Sequence, residues 1–419
     1  MSNTELVLNA DRSRRSQLAE TLTNRAAATS DFAALSRIYG PWSTQLRRVS
    51  DHITVPKEQV SKASSSYVEV GNCLLRTLDW PEQVIDIHTQ GSASTQTLIR
   101  YPDRSKFDID AVCAVDIDRI DARNPVGFFD SIGEALSRYA PTAKKRCWTI
   151  DQPGHPFYLE FTPSIPLATV SKRTFEAMRP RFLPVREYED TALAVVDMPT
   201  RSWKTSNPAG FTRWVDRTAS RQIVQTGMVA FAKHELREGV ADVPNQDIEI
   251  TDTLRTAIRL FKRHRDVCVQ RHIFEKEFKP ISVIIVTLLT RCYDGLASIG
   301  HTFPHPLLLL VELAELLKHM VPTRDGEYHV DNPTVDGENF AEKWNTDRGA
   351  RLRAFSLWCD VLIADLQTIL AATDEGEIHD TVNRVFGCTA ATATDADIPH
   401  NRPTVHRPPP PPPRTSGLA

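Results

Sequence analysis

Residues 84–115 of the chain read VIDIHTQGSASTQTLIRYPDRSKFDIDAVCAV. The apolar beginning of this segment predicts a short strand, and FDIDAVCAV at 107–115 predicts a second strand with apolar residues on one face. The part between them is small and polar. One more helix and two more strands are predicted to follow, at 126–139, 146–150 and 157–162. Residues 83–166 therefore indicate a single α/β unit.

The second of these strands carries Asp108 and Asp110. Side chains two residues apart on a strand point to the same face, so both carboxylates leave the strand opposite its apolar residues. Two hard oxygen ligands on one rigid face suit Mg²⁺, and a pair of such ions clamps the attacking and leaving oxygens in phosphoryl or nucleotidyl transfer. Asp116 and Asp118 share this parity but lie roughly 20 Å further along, so we expect them on the surface near the strand end.

A third metal ligand should come from a neighbouring strand, and Glu160 is the best candidate. It is the one acid in the apolar run FYLEFTP at 157–163. This position is costly unless a partner or a metal compensates the charge. A buried structural acid paired with an arginine would explain the same pattern, and this alternative stays open.

Gly91 and Ser92 precede Asp108 by about sixteen residues. Glycine lets a phosphate approach the backbone, and a helix that begins there directs free N–H groups at the anion. Ser92 adds a hydroxyl donor. A Gly-Ser pair alone is a weak signal that also fits a plain helix cap. The stronger indication is the order of strand, Gly-Ser turn, helix and a strand with two acids.

The sequence on either side of this unit is mostly helical in character. Apolar residues at spacings of three and four predict helices at 16–28, 32–49, 57–77, 211–237, 252–270, 281–293, 306–318 and 339–372. Asp252 and Asn339 stand where helix N-caps are expected, and Pro280 stands where a helix-start proline is expected. We expect these helices to form a second lobe that packs against the α/β unit.

The helix predicted at 252–270 is rich in basic residues. A solvated or salt-bridged face is the plain interpretation of its arginines, Arg259, Arg263 and Arg265. A helical spacing that could hold two zinc ligands is also present, at His264, Cys268 and His272. No fourth ligand is visible, so we expect these three on the lobe surface without a metal.

Composition excludes several classes of protein. Hydrophobic residues make up 41% and charged residues 25%, which is ordinary for a globular protein. The formal net charge of −3 gives no general attraction to long nucleic acid or to an anionic membrane. The seven cysteines are scattered without a C-x-x-C pair, and the first residues lack an apolar leader. The longest apolar stretches, 281–289 and 307–317, are too short to span a membrane. We therefore predict a cytoplasmic protein.

Several motifs taken together resemble one known family. Gln90-Gly91-Ser92 followed by Phe107-Asp108-Ile109-Asp110 resembles the DNA polymerase beta-like nucleotidyltransferases. More narrowly, it resembles the bacterial relatives of cyclic GMP–AMP synthase, the CD-NTases of CBASS antiphage systems. Four further segments support this narrower resemblance, namely WKTSNPAGFTRW at 203–214, LFKRHRD at 260–266, KPIS at 279–282 and DNPTVDGENFAEKW at 331–344. The set is specific, although each motif alone is not.

The resemblance implies an α/β nucleotidyltransferase core with a polymerase beta-like mixed sheet, an α-helical lobe and a disordered Pro-rich tail. The divisions would be bracing helices at 1–80, the core at 81–210, the helical domain at 211–387 and the flexible tail at 388–419. The protein would bind nucleoside triphosphates, ATP among them, between the two lobes. It would join them into a cyclic di- or trinucleotide messenger with loss of pyrophosphate, and a downstream effector would sense the product.

The resemblance also assigns roles to individual residues. Asp108, Asp110 and Glu160 would hold two Mg²⁺ ions, which Mn²⁺ could replace. Five residues would contact the bound nucleotide, namely Gln90, Gly91, Ser92, Lys262 and Ser282. The chain departs from the family at two positions, because Gln96 stands where a small residue is usual and Glu160 stands where Asp is usual.

The last part of the chain, from about Cys388, differs in composition. It is small and polar and then contains six consecutive prolines at 408–413, which favour an extended and mobile segment. In some relatives a ubiquitin-conjugation-like enzyme joins the extreme C-terminus, here Ala419, to a target. A plain disordered end explains the same composition.

Two other functions fit the same core. One is a linear oligoadenylate-type or RNA-tailing nucleotidyltransferase, against which the near-neutral charge argues mildly. The other is a nucleotide-binding protein on a degenerate transferase fold, against which the intact Asp108-x-Asp110 pair argues. The sequence does not distinguish the bases used or the size of the product.

Overall fold

The computed structural model describes residues 1–14, 32–81, 84–103, 105–224, 243–244, 246, 252–372 and 374–388, with 32–39 described by their helical backbone. The described residues belong to one compact unit, Met1–Cys388. The helix predicted at 16–28, the tail predicted at 388–419 from Thr389 onward, and its conjugation site at Ala419 lie outside the described residues. The predicted domain boundaries stay predictions.

Helices and strands follow each other in a mixed order. The helices are α1 Asn3–Ser13, α2 Phe32–Ile53, α3 Lys57–Leu78, α4 Gly91–Ser94, α5 Pro125–Ala135, α6 Lys172–Met178, α7 Pro208–Ala219, α8 Thr253–Gln270, α9 Ser282–Ser298, α10 Pro306–Leu317, α11 Glu342–Thr346, α12 Ala350–Ala371 and α13 Glu375–Phe386. The strands are β1 Ile85–Gln90, β2 Phe107–Val115, β3 Thr142–Ala143, β4 Trp148–Asp151, β5 Phe157–Pro166, β6 Leu183–Pro184, β7 Leu193–Asp197, β8 Ser202–Ser206, β9 Thr323–Arg324, β10 Glu327–Tyr328 and β11 Val335–Asp336.

Seven of the strands form one mixed sheet. Its order is β1-β2-β5-β4-β3, and the far end of β5 pairs with β7, which in turn pairs with β8. The pairing of β2 with β5 is parallel and the others are antiparallel. Apolar residues alternate along β2 and β5, so one face of the sheet is apolar. This face packs against residues of α3 and α5 in a shared core. The predicted mixed α/β core is confirmed.

The second half of the chain builds a separate helical core. Its apolar centre comes mainly from α8, α9, α10, α12 and α13, and α1 and α2 add residues to it. α2 therefore packs in the helical core, whereas α3, which follows it after a short turn, packs against the sheet. The predicted helical lobe is confirmed.

One described helix, α12, is long and apolar enough to cross a membrane by length and composition. Half of its most apolar window is buried inside the protein. Phe355, Trp358 and Leu362 of this helix lie in the helical core with no more than a trace of exposed surface. A core helix meets the same test of length and composition, and the packing of α12 is that of a core helix.

Several predicted helix ends differ from the structure. The helix predicted at 339–372 is two helices, because left-handed backbone at Arg348 and Gly349 breaks it. Asn339 is therefore not an N-cap; its side chain instead accepts hydrogen bonds from the backbone N–H groups of Val330 and Ala341. Pro280 precedes α9 by two residues and does not start it.

The observed ends of two other helices also differ from the predicted ones. α7 begins at Pro208, earlier than predicted, because Asn207 caps it by accepting from the N–H of Gly210 at 2.9 Å. α7 ends at Ala219, and residues 225–237 of the predicted helix lie outside the described residues. The helix predicted at 126–139 ends at Ala135 and continues as a 3₁₀ turn. Asp252 caps α8 as predicted.

Candidate active site

Three acidic side chains lie side by side on two neighbouring strands. In the parallel pairing of β2 with β5, Asp108 stands opposite Tyr158 and Asp110 opposite Glu160. Alternate residues of each strand are buried in the sheet core, and the acids between them are half-buried on the opposite face. Strand parity and register thus place Asp108, Asp110 and Glu160 on one face, while their metal-binding role stays a prediction.

The crowding of negative charge raises the pKa of Asp110. Burial raises the pKa of this carboxyl well above its ordinary value, and the carboxylates of Asp108 and Glu160 raise it further. Lys262 opposes this rise. The pKa of Tyr158 is also raised, first by burial and then by the same three acids. A cation among these groups would relieve the repulsion that disfavours their ionised forms.

The acids suit a hard divalent cation, although they do not yet surround one. In the part of the chain that the structure describes, no three His, Cys, Asp or Glu side chains already form a finished metal cluster. One reason is that Glu160 accepts hydrogen bonds from Thr149 Oγ1 at 3.1 Å and Cys147 Sγ at 3.3 Å, both from the β4 side. Carboxylate oxygens on adjacent strands are still the ligands that Mg²⁺ prefers. The donor set therefore fits Mg²⁺.

The surroundings of Glu160 also test the alternative that it is a buried structural acid paired with an arginine. No arginine, lysine or histidine within the described residues forms an ion pair with it. Its two hydrogen-bond donors, Thr149 and Cys147, are uncharged, and burial and Glu160 raise the pKa of the Cys147 thiol. The arginine partner expected of a structural carboxylate is thus not found among the described side chains.

Gly91 lies directly beside the acids. β1 ends at Gln90, which pairs with Asp110 of β2, and the chain then turns into the four-residue helix α4. Gly91 has a φ of 65°, in the left-handed region that favours glycine. A Cβ at this position would collide with Oδ2 of Asp110. The glycine is therefore required by both the turn and the close approach of the acid.

Lys262 of α8 reaches this turn from the helical lobe. Its Nζ donates to Ser92 Oγ at 3.0 Å and to the carbonyl of Thr97 at 2.8 Å. Burial lowers its pKa to about 7, and the charge of Arg265 acts in the same direction. A buried ammonium that contacts no carboxylate among the described side chains, next to a serine hydroxyl and a glycine turn, is an anion-binding arrangement.

The arginines of α8 are buried, so the solvated face is wrong for them, whereas the salt-bridged alternative holds for Arg265, which pairs with Asp266 at 2.8 Å. Arg259, Arg263 and Arg265 each expose no more than 2% of their surface. The physical reason is that carbonyls and polar side chains of the protein supply their partners. Arg263 donates to the carbonyls of Arg100, Phe386 and Gly387 at 2.7–2.9 Å.

Two of the predicted nucleotide contacts are engaged elsewhere in this structure. Ser282, at the start of α9, accepts from Arg265 Nη1 at 3.1 Å, and the same Arg265 nitrogen donates to the carbonyl of Pro280. Gln90 donates from Nε2 to Thr162 Oγ1 at 3.1 Å, on the sheet rather than toward the turn. The structure thus brings Lys262 to Ser92 but ties Ser282 and Gln90 to other partners.

The residues at zinc-like spacing on α8 have a structural explanation. His264 is buried, accepts at Nδ1 from Trp358 Nε1 at 3.1 Å, and lies with Nε2 3.1 Å from Asp365. Cys268 is buried beside it, whereas His272 is exposed in the turn after the helix. The expected lobe surface is therefore wrong for His264 and Cys268, whose side chains belong to the helical core.

Sequence reasoning missed three neighbours of the site. Tyr101 places its hydroxyl 3.5 Å from Asp108 Oδ1, and burial and that acid raise its pKa. Thr212 of α7 lies 2.9 Å from Ser94 through their hydroxyls. Arg255 donates to the carbonyl of Thr95 at 3.0 Å. Thr212 and Arg255 come from segments distant in sequence, so only three-dimensional contact reveals them, whereas Tyr101 lies between the two motifs.

The chain was compared with protein families, with characterised proteins and with solved structures. No family model matches the chain. A c-di-GMP synthase from Roseivirga ehrenbergii is 22% identical over 307 residues, which are 71% of this chain and 72% of that protein.

Solved structures share the fold at lower identity. The CD-NTase CdnG of Bradyrhizobium diazoefficiens, solved with GTP, superposes with a TM-score of 0.53 at 16% identity. CdnC of E. coli MS115-1, solved with ATP, superposes with a TM-score of 0.54 at 13% identity. Each comparison covers 82% of this chain and 97% of the other.

The sheet, the glycine turn and the paired acids together have the fold of the polymerase beta-type nucleotidyltransferases, with an added helical lobe. Within that class, the chain has the fold of the CD-NTases. The donor set of Asp108, Asp110 and Glu160 is the part of this chain that fits a hard divalent cation.

Proposed function

We propose that the protein is a cyclic oligonucleotide synthase, which joins two or more nucleoside triphosphates into a cyclic di- or trinucleotide messenger of antiphage defence. One observation carries the proposal. A buried lysine from the helical lobe, Lys262, meets the Gly91-Ser92 turn at the edge of the sheet that presents Asp108, Asp110 and Glu160. The similarity to a c-di-GMP synthase supports the proposal that the product is cyclic, and it makes GTP the first substrate to test.

In this proposal the donor triphosphate lies against the glycine turn. The backbone of the turn at Gly91 would lie against the phosphates, the hydroxyl of Ser92 would donate to them, and the ammonium of Lys262 would balance their charge. Two Mg²⁺ ions held by Asp108, Asp110 and Glu160 would supply charge neutralisation and activation of the attacking hydroxyl. The 3′-oxygen then bonds to the α-phosphorus while the bond to pyrophosphate breaks.

Lys262 is suited to a site that must accept and release a polyphosphate. With a pKa of about 7 the free protein carries a mixture of ammonium and neutral amine near neutral pH. Bound phosphates favour the ammonium, and the loss of pyrophosphate removes part of that stabilisation. A second round of the same chemistry would close the ring on the linear intermediate.

The proposal is tested by the identity of the product. Purified protein is incubated with all four nucleoside triphosphates and Mg²⁺, treated with phosphatase and analysed by mass spectrometry. We expect a phosphatase-resistant cyclic product that is not formed by the Asp108→Asn variant. Products that are linear and phosphatase-sensitive would indicate an oligoadenylate-type or tailing enzyme instead. Tight nucleotide binding without turnover would indicate a binding protein on the transferase fold.

A further inference from the structure

A row of side chains crosses the sheet at the level of Asp110. Each strand pairing aligns one member of the row with the next, from β1 through β2, β5 and β4 to β3. From one edge to the other, the row contains Gln90, Asp110, Glu160, Thr149 and Thr142. Residues paired in this way point to the same face of a sheet. Thr149 is therefore the neighbour of Glu160 on the side away from Asp110.

Both oxygens of the Glu160 carboxylate have a donor on this side. Thr149 Oγ1 donates to Oε1 at 3.1 Å, and Cys147 Sγ, just before β4, donates to Oε2 at 3.3 Å. An ionised carboxylate has about four lone-pair positions, so two hydrogen bonds use only half of them. The other positions stay available to a cation on the Asp110 side. The hydrogen bonds from β4 can therefore persist when a metal ion is bound.

Thr149 supplies the stronger of the two hydrogen bonds. A hydroxyl that donates to a carboxylate makes a charge-assisted hydrogen bond, whereas a thiol is a weak donor. Thr149 is also half-buried, so water competes less for this carboxylate oxygen than it would on an open surface. The orientation of Glu160 thus depends mainly on Thr149.

The position of Thr149 is set by its neighbours in β4. Ile150 is 1% exposed and lies in the core of the sheet. The ring of Trp148 stacks on Phe129 with 4.8 Å between the centroids, and its Nε1 donates to the carbonyl of Phe129 at 2.9 Å. Both neighbours hold the strand from the core face, so the backbone at Thr149 stays in place without its own hydroxyl.

We propose that Thr149 is a positioning residue for the metal site, whose hydroxyl orients Glu160 toward a divalent cation beside Asp110. The proposal rests on the proposed function only through this metal site. A glutamate side chain has several rotatable bonds, and a fixed carboxylate loses less freedom when it binds a metal. Loss of a hydrogen bond to a ligating side chain typically weakens metal binding by about 10–100-fold.

The test is binding of Mn²⁺ to the full chain without nucleotide, measured through the electron paramagnetic resonance signal of free Mn²⁺. This readout does not depend on turnover. We expect Thr149→Val to weaken binding by about tenfold or more. Valine is also β-branched and suits a strand, so the fold should be kept. Thr149→Ser retains the hydroxyl and should bind Mn²⁺ with nearly the wild-type affinity.

Thr142→Val is the matched control. Thr142 belongs to the same row one strand further out, is exposed, and pairs with Thr149 rather than with an acid. The same change of side chain there should leave Mn²⁺ affinity unchanged.

A double-mutant cycle separates positioning from a general effect on the sheet. Glu160→Ala removes the carboxylate through which Thr149 would act. Adding Thr149→Val to Glu160→Ala should therefore cause no further loss of Mn²⁺ affinity. A further loss as large as in the wild-type background would show that Thr149 acts by another route and would overturn the proposal.

Three other results would also overturn it. Unchanged or tighter binding by Thr149→Val would show that the hydroxyl does not help Glu160 to meet the metal. An equal loss in Thr142→Val would indicate a general effect of the substitution. Absence of Mn²⁺ binding by the wild type would remove the metal site itself. Mn²⁺ binding with the expected effects but without a cyclic product would reject the proposed function and leave the role of Thr149 intact.

Discussion

Gly91 connects the turn that would hold phosphate to the acid that would hold metal. Its φ of 65° and the position of Asp110 Oδ2 exclude a side chain for two independent reasons. Backbone strain alone costs about 1–3 kcal/mol for a residue other than glycine. A Cβ at this position would also push the carboxylate of Asp110 away from its place in the proposed metal site. This displacement would lower turnover rather than the stability of the fold.

We therefore expect Gly91→Ala to lower turnover by about a hundredfold, since small displacements at a reacting centre have effects of this size. Gly154→Ala is the matched control. Gly154 also has a left-handed φ, of 76°, but nothing lies within 4 Å of a Cβ there. The two variants should show similar losses of thermal stability. Equal activity in both would show that contact with Asp110 is unimportant.

Lys262 predicts a specific pH dependence of nucleotide binding. Its pKa of about 7 in the free protein means that below this pH the ammonium is already present. Bound phosphates raise that pKa, so above about pH 7 binding must take up a proton, and affinity should fall by up to about tenfold per pH unit.

The measurement is the Kd of a non-hydrolysable ATP analogue between about pH 6 and about pH 9, without divalent metal. Lys262→Arg keeps its charge throughout this range, so its affinity should not show this fall. The same decline in the wild type and in Lys262→Arg would mean that another group is responsible.

At the scale of residues, strand parity was the most informative signal. It placed Asp108 and Asp110 on one face because the side-chain period of a strand is fixed by its backbone. The register of β2 with β5 then places Glu160 beside Asp110. The burial of Arg263 and the partner of Ser282 were not predictable. Their environments are set by carbonyls and side chains from distant segments, and no local pattern encodes these contacts.

α8 is the element that joins the two lobes at the site. Three of its side chains donate to successive carbonyls along the turn, since Arg255 reaches Thr95, Lys262 reaches Thr97 and Arg263 reaches Arg100. Arg255 and Lys262, seven residues apart, lie on one face of the helix, and Arg263 points to the side of that face. The turn is thus held against the helical lobe along its length, and not only at Ser92.

Arg255→Gln should weaken this support at one end of the turn. Arg255 also forms ion pairs with Asp252 and Asp216, so some loss of stability is expected. We predict that the KM for nucleoside triphosphate rises about tenfold, with a smaller change in kcat, because a charge-assisted hydrogen bond to the turn is lost.

Arg213→Gln provides the comparison, because Arg213 forms an ion pair of similar kind with Asp190 on the exposed side of α7. Steady-state kinetics of both variants decide the question. An unchanged KM in Arg255→Gln, or an equal rise in Arg213→Gln, would contradict a supporting role for α8.

At the scale of elements, the sequence predicted the existence of most helices and strands but not all of their ends. β2 was predicted at its observed bounds because Phe107–Val115 combines alternation with a continuous apolar end. The break between α11 and α12 was missed because Arg348 adopts a left-handed conformation that its residue type does not signal. Gly349 was the one available hint.

The whole molecule consists of a sheet core and a helical core within one compact unit. Of the N-terminal helices, α1 and α2 pack in the helical core and α3 packs against the sheet. Lys262 and Ser92 form a hydrogen bond where the two cores adjoin. The order of segments in the sequence predicted the two cores. The geometry of their junction was not predictable, because it depends on packing between α8 and a turn about 165 residues away.

The central claim is that Asp108 belongs to a metal site for nucleotidyl transfer. The most direct measurement is Mg²⁺-dependent release of pyrophosphate from GTP and ATP by the wild type, Asp108→Asn and Asp118→Asn. Asp118 is an exposed acid beyond the end of the same strand and serves as the control. We predict a loss of at least about a hundredfold in Asp108→Asn and wild-type release in Asp118→Asn. Wild-type release of pyrophosphate by Asp108→Asn would contradict the account.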